Sequence, residues 1–501
     1  MKIKNFSKII YPLSLRDTET RHESRPALRG TPSRMSKGHR GIILIIATLV
    51  SSCTMEPKYK KPEAPVPFAS AQESGKKKLA MISWREYFQS PDLQRLIQLA
   101  LDNNKDLKIA ALNIEVAEGT NGVARSNLLP TITGSAYETR QGVPSGFASF
   151  TPKRQYRANV GFTSYEVDFF GRLRSLKKAA LEDFLATKEA RNITKISVIA
   201  ETANAYAQLL LDQEILEIAE QNMKVQSDRY TLTERRYKNG IDSQATLLAA
   251  QSLKENAKVS FESYKKIVTQ DVNALMALTG VFDESSLPQD STINDIKIDE
   301  ELLDFVPSEN LLLRPDIKQA EHNLKEANAN IGAARAAFFP SITLTGTFGY
   351  GSRNLNTLTN SRSWTFTPQI NLPIFSGGRN IANLDIANAR KNIQIVQYEK
   401  AIQTAFREAS DQLAERESVT NQLRSYNKIL AVSKKSYDLS ESKHEAGIMS
   451  ALDVLNTQIT FLTARQNQAA SKKEYITNLI MLYKVMGGGS ELEELETSKA
   501  Q

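Results

Sequence analysis

The 501-residue chain has one cysteine, Cys53, and four histidines. A lone thiol excludes an internal disulfide, and it cannot supply the several cysteine and histidine ligands of the common zinc sites. Beyond residue 52 only His322 and His444 remain, with no cysteine nucleophile near either. The chain therefore does not read as an enzyme, and it calls for no cofactor and no metal. Downstream of Cys53 there is no apolar run of 18 residues, so a transmembrane helix is excluded there. Glycine and proline are missing from four long stretches. The 68 residues between Gly171 and Gly240 contain neither, nor do the 68 between Gly378 and Gly447. The 39 that follow each of Gly240 and Gly447, up to Gly280 and Gly487, lack them too.

The position of the cysteine is informative. Lys37, His39 and Arg40 precede an apolar run from Gly41 to Val50, followed by Ser51, Ser52 and Cys53. A basic flank, about ten apolar residues and small residues at a cut site describe a bacterial export signal. Val50-Ser51-Ser52-Cys53 resembles a lipobox, in which the thiol receives a lipid and becomes the first mature residue. Residues 1–34 are too long and polar for such a signal, and Met35 is the expected start. Residues 1–52 hold ten Lys+Arg and three Asp+Glu, so their removal takes the net charge from +8 to +1. The pI of about 9.1 belongs mainly to that segment and is no argument for nucleic-acid binding. Pro57, Pro62, Pro65 and Pro67 hold the following stretch out of helix, as an extended tether.

The rest is written twice. "AEGTNGVARSNLLPTITGSA" aligns with "ANANIGAARAAFFPSITLTG" at an offset of 210, and "RYKNGIDSQATLLAAQ" with "KHEAGIMSALDVLNTQ" at 207. The expected organisation is a signal region (1–52), anchor and tether (53–92), a first repeat (93–280), a linker (281–310), a second repeat (311–487) and a polar, acidic tail (488–501). Each breaker-free arm of 68 residues predicts a helix roughly 100 Å long. Apolar residues at spacings of three and four, such as Ile196, Ile199, Ala203, Ala207 and Leu210, predict coiled-coil packing. Each arm turns back at Gly240 or Gly447. The return arms are short, and continuous helices from Leu93 to Leu128 and from Leu311 to Phe339 are expected to stack end to end with them beside the long arms.

Ahead of each long arm the period changes to two. In "SWTFTPQINLPIF" Trp364, Phe366, Ile370, Leu372 and Ile374 share one face, and Ser363, Thr365, Thr367, Gln369 and Asn371 the other. "SITLTGTFGY" repeats the pattern, whereas the first-repeat strands, near residues 131–139 and 158–169, alternate less cleanly. An apolar outside and a polar inside over about ten residues suit a membrane barrel. Four strands cannot close one, because an open edge in lipid leaves backbone groups unpaired at several kcal/mol each. Several chains must share a barrel. "GTFGYG", Gly346 to Gly351, falls in this strand pattern and lacks the strand-to-helix setting of a phosphate loop.

These blocks, with "SWREYFQSPDLQRLIQLALDNNKDL", "YEVDFFGRLR", "RPDIKQAEHNLKEANANIGAARAAFFPSITLTG" and "LPIFSGGR", resemble the TolC-type outer-membrane efflux ducts, in the lipoprotein subgroup that serves resistance-nodulation-division pumps. The resemblance runs from Cys53 to Gly488. It implies an α+β membrane protein: a homotrimeric twelve-stranded outer-membrane β-barrel continued by a periplasmic α-helical coiled-coil barrel. It further implies a passive duct for small solutes (drugs, metal ions or metabolites) working with a periplasmic adaptor and an inner-membrane pump, and no nucleic acid. Cys53 would carry the lipid, and Thr54 lacks the aspartate that retains many lipoproteins at the inner membrane. The tips at Gly240 and Gly447 would dock the adaptor. In the family, residues five, six and nine places after the second tip glycine narrow the entrance. Here these are Leu452, Asp453 and Asn456, with an amide where a second carboxylate is expected, and Thr246 takes the place of Asp453 in the first repeat. Asp453 could instead only cap a helix. Two other readings stay open: an exit duct for protein secretion, and a non-conducting lipoprotein scaffold.

Overall fold

The computed structural model describes residues 54–65, 82–142, 154–288, 291–300 and 308–490. Cys53, the apolar run before it and most of the acidic tail lie outside the described residues. All described residues belong to one compact unit, Cys53–Gln501. In chain order the elements are α1 (Trp84–Tyr87), α2 (Pro91–Asn103), α3 (Lys105–Ser126), β1 (Ile132–Arg140), β2 (Arg154–Val167), α4 (Arg172–Lys238) and α5 (Gln244–Thr279). A linker with short 3-10 turns follows, then α6 (Pro315–Ala336), β3 (Ser341–Ser352), β4 (Arg362–Asn371), α7 (Arg379–Glu445) and α8 (Ala451–Val485). The duplication is plain: α4 and α7 both have 67 residues, and α3 and α6 both have 22. No helix among the described residues is long and apolar enough to cross a membrane.

The helices form one layer. α3 and α5 both pack on α4, and α6 and α8 both pack on α4 and on α7. The end-to-end joints occur at equivalent places in the two repeats. Asn104, between α2 and α3, donates its amide to the Leu278 carbonyl at the end of α5, at 3.1 Å. Arg314, 210 residues later, donates to the Val485 carbonyl at the end of α8, at 2.8 Å. In both repeats the last carbonyls of a returning helix, which have no partner within it, are satisfied from the start of the next helix in the stack.

The expected continuous helix from Leu93 to Leu128 is broken at this joint. The Asn104 side chain accepts from the Asp106 and Leu107 amides and starts α3 afresh, so α2 ends at Asn103. Likewise α6 starts only at Pro315, whose missing N–H suits a first helical turn, behind Arg314 as its cap.

The four strands form one antiparallel sheet in the order β1-β2-β3-β4. Away from the loop end its register keeps one face apolar across all four strands: Ile132 opposes Phe162, Phe162 opposes Gly346, and Gly346 opposes Phe366. The alternate rows are polar, as where Thr347 meets Thr365 with hydroxyls 2.6 Å apart. The uneven alternation of β2 has a local cause. One extra residue is inserted between Phe162 and Tyr165, with Ser164 at φ 54°. This β-bulge shifts the parity by one, so Phe162 and Tyr165 share the apolar face and Glu166 falls on the polar one. The apolar run at the end of the last strand pattern is shorter than expected. β4 ends at Asn371, and Leu372, Ile374 and Phe375 are exposed outside it.

The main core lies mid-way along the helices, where α1, α2 and the linker wrap α4 and the end of α8. Tyr87 stacks on Tyr483 at 4.8 Å and donates to the Leu479 carbonyl at 2.8 Å. Leu93, Leu96, Ile97, Ile199 and Leu479 close around them, each contributing about 1.5–3 kcal/mol of burial. Ile82, Trp84 and Phe88 already belong to this core, so the stretch before α2 is not tether.

Residues 54–65 are extended but do not stand clear of the helices. Glu56 pairs with Lys178 of α4 at 2.8 Å, and Asn328 of α6 donates to the Pro57 carbonyl at 2.8 Å. Lys61 reaches Glu321 of α6 at 2.6 Å and lies over the Tyr398 ring of α7. The tether is thus laid in a groove shared by three helices, with its Glu56 end nearest the sheet.

Candidate entrance and docking surface

The two hairpin tips have the same construction. α4 ends in an overwound turn in which Gly240 accepts the left-handed φ of 71°, and the Ile241 amide donates to the Arg236 carbonyl at 2.9 Å. α7 ends likewise: Gly447 has φ 75°, and the Ile448 amide donates to the Lys443 carbonyl at 2.8 Å. This six-residue closure wants glycine at the left-handed position. A side chain there would meet no atom within 4 Å at either tip, so the glycines face open space. Ile241 and Ile448, one residue beyond, are 63% and 77% exposed. Sequence reasoning stopped at the glycines, although the isoleucines are visible as apolar residues repeated at the 207 offset.

The next helix of each hairpin starts on a serine cap. Ser243 accepts from the Thr246 amide at 3.2 Å, and its hydroxyl lies 3.0 Å from the Thr246 hydroxyl. Ser450 accepts from the Asp453 amide at 3.2 Å and donates its own hydroxyl to the Asp453 carboxylate at 2.7 Å. Thr246 and Asp453 are therefore equivalent third residues of a first helical turn. The carboxylate is held where the helix dipole favours negative charge, and it stays exposed. The first tip spends its own acid differently: Asp242 forms a two-point ion pair with Arg236, and this pair lowers its pKa. His444 bonds through Nδ1 to the Met449 carbonyl at 2.8 Å, closing the second turn.

Leu452 is half-buried beside Asp453 on α8, and Asn456 is one turn on. Asn456 accepts from Arg229 of α4 at 3.2 Å, so it joins the two hairpins. Further along the same seam Arg465 of α8 bridges to Glu214 and Glu217 of α4, at 3.2 and 2.8 Å. Between these links Ile218 and Val225 of α4 pack with Leu455, Ile459 and Leu462 of α8. Neither polar link was foreseen, since nothing in one sequence marks which arginine of one repeat meets which amide or acid of the other. Among the described residues no group of three acidic, histidine or cysteine side chains could hold a metal.

A layer of hairpins under a sheet with one lipid-compatible face defines a class, the TolC-like outer-membrane channels. The chain belongs to the outer membrane efflux protein family, which it matches over residues 96–281 and 306–488, one segment per repeat. It is 38% identical over 463 residues to the toluene efflux pump outer membrane protein TtgC of Pseudomonas putida, covering 89% of this chain and 95% of that protein. It is 34% identical over 456 residues to the outer membrane protein OprJ of Pseudomonas aeruginosa, again covering 89% and 95%. Among solved structures, the open state of the Neisseria gonorrhoeae MtrE outer membrane channel superposes with a TM-score of 0.76 at 35% identity, covering 87% of this chain and 99% of that one. CusC superposes at 0.75 with 33% identity, covering 87% and 100%. The chain is thus an outer-membrane channel of a tripartite efflux system, with a barrel and a helical tunnel built from two repeats.

Proposed function

We propose that three copies of this chain form a lipid-anchored duct that passes small organic solutes from an inner-membrane resistance-nodulation-division pump and a periplasmic adaptor to the cell exterior. The observation that carries this is the sheet: four strands in one register, apolar on one face and polar on the other, with β1 and β4 left as free edges. Three such sheets joined edge to edge make a closed barrel of twelve strands with a polar bore. The toluene and antibiotic pumps served by the relatives favour apolar and amphipathic organic cargo over ions.

Cys53 carries the lipid on this reading, and the docked tether supports it by holding residues 54–56 near the sheet end of the helices. The six tips of a trimer, each with its left-handed glycine and exposed isoleucine, offer a ring for adaptor hairpins. Leu452 and Asp453 narrow the entrance, with Arg229–Asn456 and Arg465–Glu214/Glu217 tying the second hairpin to the first. The test is single-channel recording of the purified protein in a planar bilayer, paired with solvent and antibiotic sensitivity of a deletion strain. Stable unitary conductance and a sensitised strain are expected. A monomer without conductance would favour the scaffold reading.

A further inference from the structure

The loop end of the sheet carries charges on the face that should be lipid-facing. Parity fixes which face. Phe348 opposes Trp364 and Val160, and the next row toward the loops puts Tyr350 opposite Arg362 and Ala158. On β1 and β2 Ala136 with Ala158 continue the Tyr350 row; Glu138 with Tyr156, level with Ser352, form the next same-face row toward the loops, and Arg140 with Arg154 the one after it. Arg140, Arg154 and Arg362 therefore stand on the side of Trp364, away from the threonine rows of the bore. From Ile342 to Tyr350 is eight strand steps, about 20 Å of height at the usual rise and barrel tilt. The arginines begin where the hydrocarbon would end: on this face of their own strands Arg154 comes directly after Tyr156 and Arg362 directly after Trp364, and Arg362 stands opposite Tyr350, three aromatics suited to the headgroup boundary.

These cations exceed their partners. Glu138 is the single outward carboxylate of the four strands, and it accepts from both Arg140 and Arg154, the latter at 2.6 Å. The Arg154 guanidinium also lies 4.9 Å over the Tyr156 ring, which holds it level with the aromatic row. β1 and β4 are the free edges, and joining them puts the Arg140 end of one chain beside the Arg362 end of the next. Each seam then brings Arg140 and Arg154, which share Glu138, to the same loop end of the barrel as Arg362 of the next chain.

We propose that this rim binds the phosphorylated glycolipid headgroups of the outer leaflet, one site at each seam of the barrel. Guanidinium forks match phosphate oxygens two at a time, and the apolar band below is already placed for the acyl chains. The inference rests on the membrane-barrel reading and adds a named headgroup chemistry and its residues.

The test is native mass spectrometry of the full-length trimer released from mixed micelles of bis-phosphorylated lipid A, with fully dephosphorylated lipid A as control. Wild type should retain the phosphorylated lipid about tenfold or more over an Arg140→Gln, Arg154→Gln, Arg362→Gln variant, given the usual contribution of each basic group near an anionic surface. Glu138→Gln should raise retention, and Arg157→Gln, in a bore-facing row, should leave it unchanged. Equal retention by wild type and the triple variant overturns the proposal, as does equal retention of the dephosphorylated lipid. Complete displacement by millimolar inorganic phosphate would mean a free-anion site and also overturns it. Trp364 fluorescence in a Trp84→Phe background, quenched by brominated acyl chains, checks the barrel reading separately. Absence of that quenching sinks the barrel reading itself, whereas quenching with equal lipid retention sinks only the rim.

Discussion

α4 and α7 have the same length and start behind equivalent glycines, yet 23 residues of α4 are buried and only six of α7. The difference comes from position in the layer. α4 lies between two stacks, α3 with α5 and α6 with α8, whereas α7 is packed on one side only. Its opposite side carries Ile386, Ile393, Val396, Ile429, Val432 and Leu439, all about half exposed or more and at helical spacing. The other edge of the layer is similar, with Ile109, Leu112 and Val116 exposed on α3 and Leu248 and Val259 on α5. Two equal-length helices of one duplicated sequence thus show which side of the protomer is finished and which awaits a neighbour.

That contrast can be broken most strongly at the open edge. Placing Glu at both Ile393 and Val396 should cost about 3 kcal/mol or more at each seam, since the charges would be buried against the next chain. Trimers should fall about a hundredfold, read as SDS-resistant species or by mass photometry, while protomer helicity persists. Leu210→Ala on α4, at 2% exposure, should do the reverse, destabilising the protomer by about 2–5 kcal/mol.

The two inter-helix joints give a smaller contrast. Arg314 is buried, donates to the Val485 carbonyl and pairs with both Asp316 and Glu408, at 2.7 and 2.9 Å. Asn104 does the equivalent job in the first repeat with a neutral amide. Arg314→Ala leaves two carboxylates without their cation and should cost about 3–5 kcal/mol. Asn104→Ala removes a cap and one carbonyl contact and should cost about 1–2 kcal/mol. Thermal or urea unfolding in detergent measures both. If the two variants are equally damaging, the joints are equivalent in energy as well as in place.

A pH effect follows inside the first hairpin. Burial and the neighbouring Asp212 carboxylate raise the pKa of Asp271, on α5, to about 6 from the ordinary 3.8. Asp212 itself accepts from Gln208 at 2.6 Å. A carboxyl raised on folding is protonated in the folded chain at pH values where the unfolded chain has lost the proton. Its contribution to stability is fully present below about 4 and is lost as pH rises through about 6. The part-exposed site reduces this to on the order of 1 kcal/mol. Unfolding midpoints should fall between pH 4 and 7, and Asp271→Asn should flatten the decline. An unchanged slope in that variant places the titration elsewhere.

Much of this was legible in the sequence, for definite reasons. Breaker-free arms closed by Gly171, Gly240, Gly378 and Gly447 bracket α4 and α7 almost to the residue, because a long helix needs nothing else so much as the absence of glycine and proline. β3 and the start of β4 showed their faces because their alternation is unbroken. β2 hid its own face because Ser164 shifts the parity without leaving a glycine or proline to mark it. The site was legible only in part. Asp453 and Thr246 could be placed by counting, but Arg229, Arg465 and their partners come together through the packing of two repeats, which no local pattern encodes. The docking of the tether on Lys178, Asn328 and Glu321 was hidden for the same reason.

The smallest contrast is between the tips. Asp453 and Thr246 have the same helical position and the same serine cap, so exchanging them tests charge at constant geometry. Asp453→Thr keeps a hydroxyl able to meet Ser450, and Thr246→Asp keeps an acceptor able to meet Ser243. Each should change helix stability by under about 0.5 kcal/mol. If Asp453 lines the entrance, three carboxylates near the axis favour cations and multivalent cations bind among them. Asp453→Thr should then lower cation selectivity and relieve block by multivalent cations added from the entrance side. Thr246→Asp should leave both unchanged if only the second hairpin faces the axis. Leu452→Ala should raise conductance with little change in charge preference, since it removes apolar bulk and no charge. Bilayer recordings of the three variants separate the roles. Unaltered block in Asp453→Thr would leave the carboxylate with helix capping alone.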